Sequence, residues 1–194
     1  MVKANYKTLR LYQDVPTRRP GNASAVLAFQ KAVNQAMRML AKDARTLFVG
    51  QSVCYDGAAI YESLDGVPMA KRLEMPVIED FQLGYCIGLA LAGQVPICIF
   101  PRMDFMLLAA NQLVNHLDKL PLYGWKPKMI LRARVGTKHP LDAGPQHTQN
   151  YGKEFDLMTC SVQVREVRTA AAVTAAYKEA LGGSGAYLIV EHVC

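Results

Sequence analysis

Three groups of residues in the sequence could do chemistry. The first is M-P-V-I-E at 75–79, an apolar run that ends in an acid and passes straight into DFQLGYCIGLALAG. With the run as a buried strand and the next segment as a helix, Glu79 stands beyond the carboxyl end of that strand. Open α/β sheets bind their ligands there, although a first-turn acid favoured by the helix dipole would occupy the same place. The second is G-P-Q-H-T-Q at 144–149, which sets His147 among amides and a hydroxyl in a Gly- and Pro-containing loop. A histidine in that setting can exchange protons with a ligand, or simply face water. The third is Arg132 and Arg134 in MILRARV, whose period-two spacing puts both on one face of a strand. They either grip a carboxylate or phosphate bidentately or pair with acids at the sheet edge.

Other chemistries are not spelled out. His116, His139 and His192 have no metal-ligand spacing with one another or with cysteine, so no metal site is expected in this chain. There is no G-x-S-x-G, no G-x-x-x-x-G-K-[ST] and no G-x-G-x-x-G. Cys54, Cys86, Cys98, Cys160 and Cys194 form no C-x-x-C, which fits reduced thiols, most of them small buried hydrophobes.

The elements that must position these groups follow from periodicity. Ser24 is a candidate N-cap, followed by Val26, Phe29, Val33, Met37 and Leu40 at steps of three and four, the apolar face of a helix. Strands are expected at 46–49, 75–78, 95–100, 129–135, 161–167 and 187–191, with helices at 80–92, 104–120 and 169–181. That alternation predicts an α/β fold: a three-layer sandwich with a mostly parallel central sheet and helices on both faces. Gly84, Gly88 and Ala92 form a small-residue stripe for a helix crossing, either internal or with another subunit. The irregular piece 136–158 is long enough to be functional. Residues 1–23 read as an N-terminal arm and 24–194 as one domain.

Composition limits the function classes. The chain has 194 residues, 51% hydrophobic and 20% charged, as in a globular domain rather than a disordered or fibrous chain. No apolar run reaches the roughly 20 residues of a membrane helix, and no signal-like segment opens the chain. A soluble, cytoplasmic chain without membrane contact is expected. The net charge of +6 raises nucleic-acid binding, but the basic residues are dispersed and not interleaved with aromatics as in single-strand binders.

The run MPVIEDFQLGYCIGLALAGQVPICIFPRMDFMLLAANQLVNHLDKL, with YDGAA at 55–59, GPQHTQ at 144–149 and LIVEH at 188–192, resembles the pyrimidine-binding domain of transketolase-like thiamine diphosphate enzymes. It is most similar to the beta subunits of 2-oxo acid dehydrogenases of the pyruvate dehydrogenase type. The resemblance covers about residues 30 to 192 and rests on several motifs in the same order. It implies that Glu79 exchanges a proton with the aminopyrimidine ring of the cofactor, and that Phe105 packs on that ring. Pro101 and Gln51 would complete the cofactor contacts. His147, with Gln146 and Arg132, would face substrate, and the cofactor would carry the bond-breaking chemistry.

Departures from the family pattern are Gln51 and Ser52 in place of acids, Ile78 before the glutamate, Pro101 and Arg102 before Asp104–Phe105, and Asn111 in place of an aspartate. The sequence contains no G-D-G followed by a distant Asn, the pattern that holds magnesium and diphosphate in the family's other domain. The C-terminal domain usual in the family is also not found. The resemblance therefore implies a separately encoded diphosphate-binding, alpha-type subunit that holds Mg2+, an alpha2beta2-like heterotetramer, and a 2-oxo acid substrate. Transketolase-type ketol transfer on sugar phosphates and a non-catalytic assembly or regulatory role are the alternatives.

Overall fold

The computed structural model describes residues 23–136 and 144–192. Apart from Ala23, the expected N-terminal arm lies outside the described residues. Six strands form one sheet: β1 (Thr46–Gly50), β2 (Arg72–Glu74), β3 (Val95–Phe100), β4 (Met129–Val135), β5 (Gln163–Val167) and β6 (Ala186–His192). Their spatial order is β2-β1-β3-β4-β6-β5, and every pairing is parallel. Parallel strands covered on both faces need apolar side chains in both directions. The V-P-I-C-I-F run of β3 supplies them and is buried throughout.

The two faces carry two cores. Phe48, Ile97, Ile99, Ile130 and Ile189 point to one side. There they meet α1 (Ala23–Ala41), the short α2 (Ala59–Ser63) and α5 (Ala170–Gly182) through Phe29, Met37, Ile60 and Tyr177. Val49, Cys98, Phe100, Leu131 and Leu188 point to the other side. There they meet α3 (Glu79–Leu91), an irregular helical segment at 103–123, and α4 (Gly152–Met158) through Leu83, Cys86, Met106 and Phe155. Each fully buried side chain of this size contributes about 1.5–3 kcal/mol. The expected three-layer α/β sandwich is the observed architecture.

Local differences have physical reasons. The helix already includes Ala23, so Ser24 lies inside its first turn rather than capping it. The second strand is Arg72–Glu74, not 75–78. The Met75 N–H makes the last backbone bond to the Gly50 carbonyl at 2.9 Å; Pro76 has no N–H to continue, and Val77 and Ile78 turn outward, Val77 being 78% exposed. The expected regular helix at 104–120 is a 3-10 turn (Met103–Ala109), a π segment (Gln112–His116) and a second 3-10 turn (Leu117–Tyr123). The fifth strand starts at Gln163 rather than 161, because Ser161 is held by Asp118, which accepts from its N–H at 2.6 Å. Helix α4 lies within the stretch read as irregular.

Candidate functional site

Reversal of strand order between β1 and β3 creates a crevice at the carboxyl edge of such a sheet. Gln51 follows β1, Glu79 lies beyond β2, Pro101 and Phe105 follow β3, and the His147 loop follows β4. All of them therefore lie on one edge. The β1 exit is shaped by Glu74, whose carboxylate accepts from the N–H of Ser52 at 2.6 Å and of Cys54 at 2.9 Å. Ser52 sits at φ 62, an uncommon conformation for a non-glycine residue. This clamp directs Gln51 inward, where its side chain is buried.

Glu79 opens α3 and is only 3% exposed. The Gln51 side-chain amide donates to Glu79 Oε1 at 3.3 Å. One turn further on, the buried Gln82 ties α3 to β3 by donating to the Ile99 carbonyl at 3.0 Å, and its Oε1 is buried without a partner. Gln82 is a feature that the sequence reading missed; a polar residue inside an apolar helix face was the available signal.

Beyond the ends of β3 and β4, the rings of Phe105 and His147 meet edge to face, with centroids 5.5 Å apart and planes at 87°. Asp104 Oδ1 accepts from the Gln149 N–H at 3.2 Å, joining the segment after β3 to the histidine loop. Burial raises the Asp104 pKa, opposed by that hydrogen bond and by the nearby His147. Asp104 Oδ2 and His147 Nδ1 are buried without hydrogen-bond partners. The loop also holds itself: His147 N–H, Thr148 Oγ1 and Gln149 Nε2 donate to the carbonyls of Gly144, Gly144 and Pro145. A Cβ at Gly136 would collide with the His147 carbonyl, so glycine at the end of β4 lets the loop close over the sheet edge.

Gln51 thus meets Glu79, and Phe105 meets His147. Pro101 lies between β3 and the first 3-10 turn, and Gln146 is exposed beside His147. Arg132, expected on the substrate side, is instead placed in a buried ion pair. It is 1% exposed and donates from Nε and Nη2 to the two Glu191 oxygens at 2.9 and 3.0 Å. Ser63 Oγ takes Nη1 at 2.8 Å, and the Tyr177 hydroxyl donates to Glu191 at 2.8 Å. Facing the α1 and α5 side of the sheet, Arg132 is a core ion pair. The small-residue stripe also divides. Gly84 faces the Gln112 side chain, whereas Gly88 has open space around it. Among the described residues no helix is long and apolar enough to cross a membrane, and no group of three or more His, Cys, Asp or Glu could hold a metal ion.

An open, parallel α/β domain with polar groups gathered at its carboxyl edge is a ligand-binding class of fold. Comparison with known proteins narrows it: the relatives of this chain are beta subunits of 2-oxo acid dehydrogenases. The chain is 25% identical over 172 residues to "Pyruvate dehydrogenase E1 component subunit beta" of Chlorokybus atmophyticus, covering 86% of this chain and 50% of the relative. It is 34% identical over 101 residues to the mitochondrial protein of that name from Caenorhabditis elegans, covering 50% and 29% of the two chains. With "2-oxoisovalerate dehydrogenase subunit beta" of Bacillus subtilis it shares 26% identity over 122 residues, 58% and 36% of the chains. A solved chain described as "Split gene transketolase, inactive beta4 tetramer" has the same fold, with a TM-score of 0.62, 17% identity, and coverage of 86% of this chain and 50% of that one. No family model matches. The chain spans about half the length, or less, of the relatives it matches.

Proposed function

We propose that the chain is the pyrimidine-binding component of a two-component thiamine diphosphate-dependent enzyme that decarboxylates a 2-oxo acid or transfers a two-carbon or acyl unit. The observation that carries this reading is Glu79, a buried acid at the start of α3 whose neighbour is the neutral amide of Gln51. Similarity to 2-oxo acid dehydrogenase beta subunits supports it. The residues fit the aminopyrimidine end of the cofactor. Glu79 offers a carboxyl group to a ring nitrogen, Phe105 offers a flat apolar surface, and Gln51 orients the acid. Bound thiamine diphosphate supplies the electron sink for cleaving a bond next to a carbonyl group.

His147 serves the substrate side. Its Nδ1 is buried without a partner and its ring is steadied by the T-shaped contact with Phe105, so a proton can be passed to or from a bound group at that atom. The Asp104–Gln149 bond fixes the loop that carries it. The diphosphate and Mg2+ are held by an alpha-type partner subunit, in an alpha2beta2-like heterotetramer. The outward side of α3 is the contact surface for assembly. Val77, Ile78, Phe81 and Tyr85 are exposed there, and Gly88 leaves room for close approach.

The test is purification of the chain with its native partner, followed by a panel of 2-oxo acids and sugar phosphates. Decarboxylation of a 2-oxo acid that depends on thiamine diphosphate and Mg2+ supports the reading. Ketol transfer between sugar phosphates alone would replace it with the transketolase-type alternative. A complex that neither binds cofactor nor turns over any substrate would leave the assembly role.

A further inference from the structure

Across the sheet from Glu79, α1, α2 and the end of β4 border a cleft of about 400 Å³, within the size range of small-molecule sites. Arg134 lines it. Its guanidinium group makes no hydrogen bond or ion pair among the described residues, whereas the other two arginines of the cleft are occupied. Arg132 is bound to Glu191 and Ser63, and Arg38 is bound to the Asp65 carboxylate and donates to the Asp65 carbonyl at 2.8 Å. Burial, then the neighbouring Arg132 charge, push the Arg134 pKa down to about 10, so the group is still cationic at neutral pH. The Arg134 side chain is half-buried in the wall of the cleft, and a guanidinium with no hydrogen-bonded partner among the described residues can take an incoming anion without first breaking a contact.

The charges of the wall select the ligand. Arg38 is paired with Asp65 and Arg132 with Glu191, while Lys31 and Glu62 are exposed at the surface of the cleft, Glu62 near enough to act on Arg134. The described wall residues therefore carry one net positive charge, and Arg134 is the arginine among them that is not bound to a carboxylate. A single excess charge suits a monoanion better than a doubly charged phosphate. The planar fork of arginine matches a carboxylate bidentately. Leu27, Val33 and Ala59 give part of the wall an apolar surface.

We propose that this cleft binds a small monocarboxylate, with Arg134 gripping the carboxylate and the Leu27 side of α1 covering the hydrocarbon part. The site is separate from the Glu79 and His147 groups and does not rest on the thiamine diphosphate reading. The test is NMR titration of the full-length chain with acetate, butyrate, hexanoate and inorganic phosphate, following the Arg134 Nε–Hε signal and the α1 amides. Saturable shifts are expected at Arg134 and along α1, with affinity rising from acetate to hexanoate and phosphate weakest. Arg134→Gln is expected to weaken hexanoate binding about tenfold or more, the factor that corresponds to about 1.4 kcal/mol. Arg134→Lys, which keeps the charge but loses the fork, falls between. Both variants should melt close to the wild-type chain, because Arg134 makes no hydrogen bond or ion pair among the described residues. The proposal is overturned by any of four results: no saturable shift, phosphate binding tighter than hexanoate, shifts confined to the start of α3, or an Arg134→Gln chain that binds normally or unfolds.

Discussion

The Gln51 side-chain amide donates to Glu79 Oε1 at 3.3 Å, joining the exits of the first two strands. A neutral donor steadies the acid without supplying a charge to it. Glu79→Gln preserves size and packing and removes the exchangeable proton. In the complex with its partner, turnover is expected to fall at least about 10²-fold, the scale of lost acid–base catalysis. Melting temperature and partner retention should not change. Steady-state kinetics beside size-exclusion chromatography measure both, and full activity in this variant would refute the role given to Glu79.

Arg132 and Glu191 are both buried and bound bidentately. Removing one partner leaves an uncompensated charge in the core. Arg132→Met is therefore expected to cost about 3–5 kcal/mol of stability, read by denaturant unfolding of the chain. A folded, equally stable variant with a raised substrate KM would return Arg132 to the substrate site.

Asp118 gives a pH-dependent contribution. Burial alone would raise its pKa, but Lys119 and the backbone N–H groups of Ser161 and Cys160 outweigh burial and bring it down to about 2 from 3.8. A carboxylate with a depressed folded-state pKa adds stability above its unfolded value and loses it as pH falls toward the folded one. Asp118→Asn should lower the melting temperature at pH 7. The gap to wild type should narrow as pH drops from about 4 to about 2. A gap that is constant through that window would contradict this account.

The fold was legible where a local pattern is enough. The apolar runs of β1, β3, β4 and β6 and the stripe of α1 announce themselves by period. The position of Glu79 could be read because an apolar run, a proline and a helix lie in sequence before and after it. The second strand was misplaced because, of the more apolar run 75–78, only Met75 stays buried and 76–78 turn out to solvent, while R-L-E pairs with β1. The segment 103–123 has helical composition, but its turns tighten and widen in the folded chain, which spacing does not reveal. Relationships between distant residues were hidden altogether. Glu74 with Ser52, Asp104 with Gln149 and Arg132 with Glu191 are separated by 22, 45 and 59 positions. In the last case the sequence admitted both an ion pair and a substrate contact, and only the opposing strand decides.

The outward face of α3 makes the partner proposal testable without knowledge of the substrate. The Phe81 and Tyr85 rings lie 6.0 Å apart on that face and are both exposed, so they add little to the stability of the isolated chain. Substitutions at such surface positions usually change stability by no more than about 0.5 kcal/mol. Phe81→Glu should leave the isolated chain's melting temperature nearly unchanged while weakening its association with the partner subunit. Gly88→Met extends the argument: nothing lies within 4 Å of an added Cβ, so the chain itself tolerates the side chain, but a helix packed closely against that point does not. Analytical ultracentrifugation of each variant mixed with the partner separates these effects. Normal assembly by both variants would move the interface away from α3, and unfolding of the isolated variants would mean that this face is part of the chain's own core.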